Sequence, residues 1–143
     1  MQATRLHDLS LLALRLAFGG LMFFNHGLGK LEKLMGPGPI QWADPLGIGP
    51  GMSLALATGA EVGAAALLAL GLFTRLAAVP LMITMAVAAF IVHGADPFAK
   101  KEAALLFFAA YLAVFLQGPG RYSVGQLLAN KLPSGGWKGF WLR

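Results

Sequence analysis

Glu61 lies inside an apolar run, from Met52 to Phe73, long enough to cross a bilayer. An ionisable side chain at that depth is costly unless the protein partners it, which makes it a candidate for function. Groups that could answer it recur along the chain: Arg15 lies within a first apolar run, His26 and Lys30 end that run, His93 ends a third, and Glu102 opens a fourth. Imidazole changes charge nearest neutral pH, and a carboxyl can exchange a proton with a bound molecule. His26, Glu61 and His93 therefore form a candidate catalytic set for proton exchange, with Arg15, Lys30 and Glu102 as charge support. Plainer readings stand beside this one. Arg15 with Glu61 could be a structural ion pair that fixes register. Lys30, Lys33, Lys100 and Lys101 read as snorkelling interface anchors. The two histidines could ligate haem or a transition metal, but two donors from different helices are a sparse set, so haem or metal is placed below proton exchange.

The elements that must position these residues are read from composition and punctuation. Of 143 residues, 57% are hydrophobic and 12% charged, with a mean hydropathy of +0.69. That lies outside the range of a soluble domain and points to an integral membrane protein. There is no cysteine, which removes disulfides, thiolate metal sites and cysteine nucleophiles together, so a redox role needs a bound cofactor or substrate. The net charge of +5 is scattered, without the basic runs and interleaved aromatics of a nucleic-acid binder. The N-terminal segment superficially resembles a secretory signal, but Arg15 interrupts its apolar part, and it is read as an uncleaved first helix.

Four spans can be drawn against the roughly 20 residues needed to cross a bilayer, at residues 9–29, 53–73, 76–93 and 97–117. The last depends on Asp96 as N-cap and Pro97 in the first turn. The expected fold is all-α, a membrane-embedded four-helix antiparallel bundle over residues 1–125. Residues 36–51, crowded with proline and glycine around Trp42 and Asp44, form a candidate lid. Pro80 is the likeliest kink. Residues 126–143, with Lys131, Lys138, Arg143, Trp137, Phe140 and Trp141, read as a basic aromatic interfacial tail.

Arg5, Arg75, Arg121, Lys131, Lys138 and Arg143 fall on one side of the spans against Asp8. Lys30, Lys33, Lys100 and Lys101 fall on the other, balanced by Glu32, Asp44, Asp96 and Glu102. The positive-inside rule then puts both termini in the cytoplasm. At about 100° per residue, Arg15, Gly19, Met22, His26 and Lys30 share one face of the first helix, which should look inward. Glu61 is expected between the levels of His26 and Arg15, within reach of the Arg15 side chain. Gly59 and Gly63 point nearly opposite to Glu61, and ordinary close packing inside the bundle is favoured for them over contact with another subunit. The pocket this predicts is walled by Met22, Phe23, His26, Ala57, Glu61 and Phe90 and capped by Trp42, an apolar space with a few titratable groups.

These residues also carry a resemblance. Arg15, Gly19, His26-Gly27 with Lys30, Glu61 with Gly63, Gly71-Leu72-Phe73-Thr74-Arg75, His93-Gly94, Glu102 and Gly118-Pro119-Gly120-Arg121-Tyr122-Ser123 closely resemble the DoxX family of four-helix bacterial membrane proteins, over about residues 10–125. The order and spacing are more specific than any single piece. The resemblance implies a membrane subunit of a quinone-linked oxidoreductase, of the kind that oxidises sulfur compounds such as thiosulfate, with a quinone or quinol as substrate or cofactor. One position departs: the family commonly ends its last motif with Ser, an aliphatic residue and Asp, whereas Ser123-Val124 is followed here by Gly125. Two other classes stay open, a small-solute carrier or channel and a non-catalytic assembly subunit. The partners expected are membrane lipids, a redox subunit and further copies of the chain, and no nucleic acid.

Overall fold

The computed structural model describes residues 2–131, and every regular element among them is a helix. Four long helices make the bundle: α1 (Thr4–Met35), α2 (Pro50–Leu70), α3 (Thr74–Val92) and α4 (Phe98–Gln117). A short α5 (Val124–Lys131) follows. The first three are long and apolar enough to cross a membrane. α4 has 20 residues, about 30 Å of helix, and its charges Lys100, Lys101 and Glu102 are gathered within its first two turns. It has the length to cross, with its charged end at the interface.

The ends of the helices follow from local chemistry. Pro50 opens α2 at its first turn, where the missing N–H costs nothing. Gly71 closes α2 in the left-handed conformation at φ +72°, and the amides of Gly71 and Leu72 return to the carbonyls of Leu68 and Leu67. Phe73 then takes φ +48°, a conformation rare for a residue with a β-carbon, and α3 begins at Thr74. Pro80 lies inside α3 and not in its first turn. At α4 the expected cap is corrected: Pro97, extended at ψ 151°, is the capping residue. Asp96 instead accepts from His93 Nδ1 at 2.8 Å and faces Lys100 at 3.7 Å.

Wide π turns interrupt the helices at Arg15–Gly19, Met22–Gly27, Gly59–Ala64 and Ala88–Val92. Each holds more residues than an α turn, and such turns are frequent at functional sites. Arg15, Gly19 and Met22 are buried and His26 and Lys30 line a cavity, so the inward face expected along α1 is present, with a polar site at each of its ends. The bundle core is built largely of small and flexible residues, including Ala64, Ala65, Ala77, Ala78, Met22 and Met85 with Leu68, Leu81 and Tyr111. Small side chains let helices approach closely in a membrane. The glycines that exploit this are on α1. A β-carbon at Gly19 would meet the Ala65 carbonyl at 3.0 Å, and one at Gly27 would meet the Glu61 carbonyl at 2.6 Å. Gly59 and Gly63 have nothing within 4 Å, so the packing expected for them inside the bundle is absent; they lie on the outer surface of α2.

Contacts between the helices are uneven along the bundle. In the half nearest the lid, α1 packs on α2 and α3 on α4, whereas contacts of α2 with α3 and of α1 with α4 concentrate from Gly59 and Gly19 toward the opposite end. The two pairs separate at the lid end, and a cavity occupies the gap. α5 lies where a tail was expected, its start capped by Ser123 Oγ, which accepts from the Gln126 amide at 3.2 Å. Trp137, Lys138, Phe140, Trp141 and Arg143 lie outside the described residues.

Candidate functional site

The cavity has a volume of about 740 Å³, within the range of sites for small organic molecules. Its centre is Glu61, 3% exposed, carried by the π turn Gly59–Ala64 of α2. Lys30 Nζ donates to Glu61 Oε2 at 2.5 Å. The pair satisfies both charges where water is scarce, and removing either partner would leave the other poorly solvated. The ammonium of Lys30 also stands 5.6 Å from the centre of the Trp42 ring, with that of Lys33 at 5.2 Å, both within cation–π range. Lys30 thus links the buried carboxylate to the lid.

His26 lines the same cavity. Its ring meets Phe107 of α4 edge-on at 5.8 Å, and neither ring nitrogen has a hydrogen-bond partner among the described residues. His93 lines it from α3, with Nδ1 held by Asp96. That hydrogen bond, followed by the Lys100 charge, holds Asp96 below the usual carboxylate range. Thr84 and Phe107 complete the walls, and Gln41, Trp42, Leu46 and Ile48 form the roof.

Asp44 fastens the roof. Its carboxylate accepts from Ser53 Oγ at 2.7 Å and from the amides of Gly49 and Ile48 at 2.8 and 3.0 Å. The Ser53 bond first, with the amides, keeps the Asp44 carboxyl below its usual range. The loop is therefore tied to the first turn of α2.

Of the residues expected at the site, Met22, His26, Lys30, Trp42, Ala57, Glu61 and His93 line the cavity. Phe23 and Phe90 do not. Phe23 packs against the core and edge-on to Phe24 at 5.0 Å, and Phe90 is 67% exposed on the outside of α3. Glu102 is exposed on α4, away from the cavity. Arg15 is fully buried, but its partners are the carbonyls of Ala69 at 2.9 Å and Tyr122 at 2.6 Å. The expected pairing of Arg15 with Glu61 is replaced by Lys30 with Glu61, because Gly27 of α1 is level with Glu61 while Arg15 lies farther along the axis, level with Ala69. Sequence reasoning missed Phe107, Thr84 and the role of Asp44. Asp44-Pro45 followed by Gly47 is a turn signal that could have revealed the last of these.

Arg15 organises a second polar cluster at the opposite end. The left-handed Gly71 leaves room for its guanidinium, the space a β-carbon there would fill. The Gly71 carbonyl accepts from the Gly125 amide at 3.0 Å. Asp8, at the start of α1, accepts from the Arg121 amide at 3.0 Å. The carboxylate at this end thus comes from Asp8, and the backbone of Gly125 ties α5 to the turn after α2.

Comparison with protein-family models matches DoxX over residues 10–94, which takes in α2, α3 and most of α1. The chain belongs to the DoxX family. It is a multi-pass membrane protein on this ground and on its apolar helices. The cavity residues His26, Lys30, Glu61 and His93 all fall inside the matched segment of this DoxX protein, whereas the cluster around Gly118–Ser123 lies beyond it. Comparison with curated proteins and with solved structures gave no match.

Proposed function

We propose that this DoxX protein is a membrane subunit of a quinone-linked oxidoreductase and binds a quinone or quinol in the lid-end cavity. The observation that carries the reading is convergence. An apolar-walled space of about 740 Å³ holds an ammonium–carboxylate pair, an imidazole with free ring nitrogens and a second imidazole braced by a carboxylate. A quinone head has a flat apolar ring and two oxygens that need donors, and this donor set suits it. Lys30 and His26 would donate to one oxygen, and His93 would approach from the facing helix pair. The bound quinone supplies the redox chemistry, taking electrons from a partner subunit.

The protein residues hold and move protons. His26 and the Lys30–Glu61 pair lie within the cavity and would exchange protons with the bound head, His26 and Lys30 as donors and the Glu61 carboxylate as acceptor. Trp42 and the Asp44-fastened loop exclude water. The resemblance to bacterial membrane proteins supports a bacterial inner-membrane location, and charge asymmetry supports both termini cytoplasmic with the lid on the outer side.

The test compares Glu61→Gln and His26→Ala with the parent chain in the assembled complex. Both should keep the helical fold by circular dichroism and lower quinol-coupled oxidation. Wild-type oxidation by both variants would overturn the redox reading, and saturable solute flux in vesicles would put a carrier in its place.

A further inference from the structure

The charged and imidazole groups of the cavity come from both helix pairs. His26, Lys30 and Glu61 belong to the α1–α2 pair, and His93 with Lys100 to the end of the α3–α4 pair. A different set of lining residues is also exposed on the outer surface: Leu56 at 57%, Ile83 at 59%, Val92 at 46%, Leu46 at 51% and Ile48 at 46%. A residue that both lines a cavity and faces outward marks its rim. The stretch of rim carried by α2 and α3 is apolar, whereas His26 on α1, Gln41 in the loop and Lys100 on α4 are exposed polar lining residues elsewhere around it.

The two seams between the helix pairs differ. Between α1 and α4, Phe107 bridges to Phe18 at 5.3 Å and to His26 at 5.8 Å, and the Tyr111 hydroxyl donates to the Phe18 carbonyl at 3.2 Å. That seam is closed by aromatic contacts up to the level of His26. Between α2 and α3 no aromatic pair or hydrogen bond crosses the lid-end half among the described residues, and their packing concentrates from the π turn that carries Glu61 toward the opposite end. The cavity floor is closed there and its side is not. An apolar rim at membrane depth costs nothing against lipid chains, whereas a polar solute crossing it would lose its hydration.

We propose that the gap between α2 and α3 is a lateral portal to the bilayer, and that the cavity takes a membrane-dissolved amphiphile whose tail lies between Leu56 and Ile83 while its head meets Lys30, Glu61 and His26. This rests on the quinone reading and deepens it: the ligand is a tailed, lipid-phase molecule that arrives through the membrane and not through the lid. Leu56 and Ile83 select for the tail, and Trp42 covers the head.

The full chain in phospholipid nanodiscs tests this with two probes sharing one benzoquinone head, one bearing a methyl group and one a decyl tail with a terminal diazirine. Affinities are compared per amount of probe dissolved in the bilayer. Illumination should label peptides containing Leu56 and Ile83, and excess unlabelled decyl compound should suppress that label. In the double variant Leu56→Phe with Ile83→Phe, affinity for the tailed probe should fall about tenfold while that for the methyl probe stays within about twofold. Leu106→Phe, at an exposed position of α4 outside the cavity, should change neither. Suppressible label confined to α1 or α4, or an equal response of the two probes to the double variant, overturns the portal and leaves the cavity assignment standing. Absence of saturable binding by either probe overturns both.

Discussion

A methyl group at Gly27 would stand 2.6 Å from the Glu61 carbonyl oxygen and 2.9 Å from Val62 Cγ2. Ordinary contact begins at 3.4 Å, so α1 and α2 must separate by 3.4 − 2.6 = 0.8 Å. The nearest atom is backbone, and no rotamer relieves the clash. Forcing such a shift into a packed interface costs about 1–3 kcal/mol, or roughly 3–10 °C of melting temperature for a chain of this size. The site should suffer with the fold, since α1 carries Lys30 one turn beyond Gly27 and α2 carries Glu61 itself. Gly29→Ala is the control. It makes the same chemical change two residues away, where nothing lies within 4 Å, and helix propensity alone should stabilise it by about 0.4–1 kcal/mol. Thermal unfolding of purified protein in detergent, followed by circular dichroism, reads both. A melting temperature for Gly27→Ala equal to or above that of Gly29→Ala would refute the packing argument.

Three further outcomes follow from the same geometry. Glu61→Gln and Lys30→Met should each destabilise by about 3 kcal/mol, the double variant by less than their sum, because each single change strands the other group; additive losses in a double-mutant cycle would show that the pair is not coupled. Asp44 has a lowered pKa in the folded state, so its contribution to the lid is present above the unfolded value of about 3.9 and is lost as pH falls through the lower folded one. Protection factors of the amides of residues 44–53, corrected for intrinsic exchange at each pH, should therefore be flat from pH 7 to about pH 5, fall below about pH 4, and converge there on those of Asp44→Asn; a loss centred near neutrality would contradict the assignment. Gly71→Ala places a β-carbon against Arg15 Nη1 at a positive φ, and it should destabilise more than Gly63→Ala, which has open space, when both are melted side by side.

The bundle was legible because hydropathy and chain breakers act locally. Glu61 stood out inside an apolar run, Gly71 marked the end of α2, and the proline- and glycine-rich segment around Trp42 had to be a loop. Level along the bundle axis was not legible. The first helix runs on to Met35 instead of ending near Gly29, so Gly27 lies against Glu61 and Arg15 against Ala69, and counting from the expected helix ends carried Arg15 toward Glu61 when it belongs to the opposite end. Phe23 and Phe90 are aromatic residues in the right region of the sequence whose side chains turn out of the cavity. Gly59 and Gly63 satisfied a packing pattern that Gly19 and Gly27 use instead, since spacing alone does not say which face another helix covers. Asp96 had the chemistry of a cap, but its carboxylate found His93 and Lys100 before it reached the amides of α4.

The central claim is that the space between His26, Glu61 and His93 is a ligand site roofed by Trp42. Quenching of Trp42 fluorescence by a decyl-tailed benzoquinone tests it most directly, with Trp137 and Trp141 replaced by Phe and the chain held in nanodiscs. Saturable quenching at one ligand per chain, lost when Glu61→Gln is combined with His26→Ala, is the predicted result. Quenching that rises linearly with the quinone content of the bilayer and is unchanged by the two substitutions would contradict it.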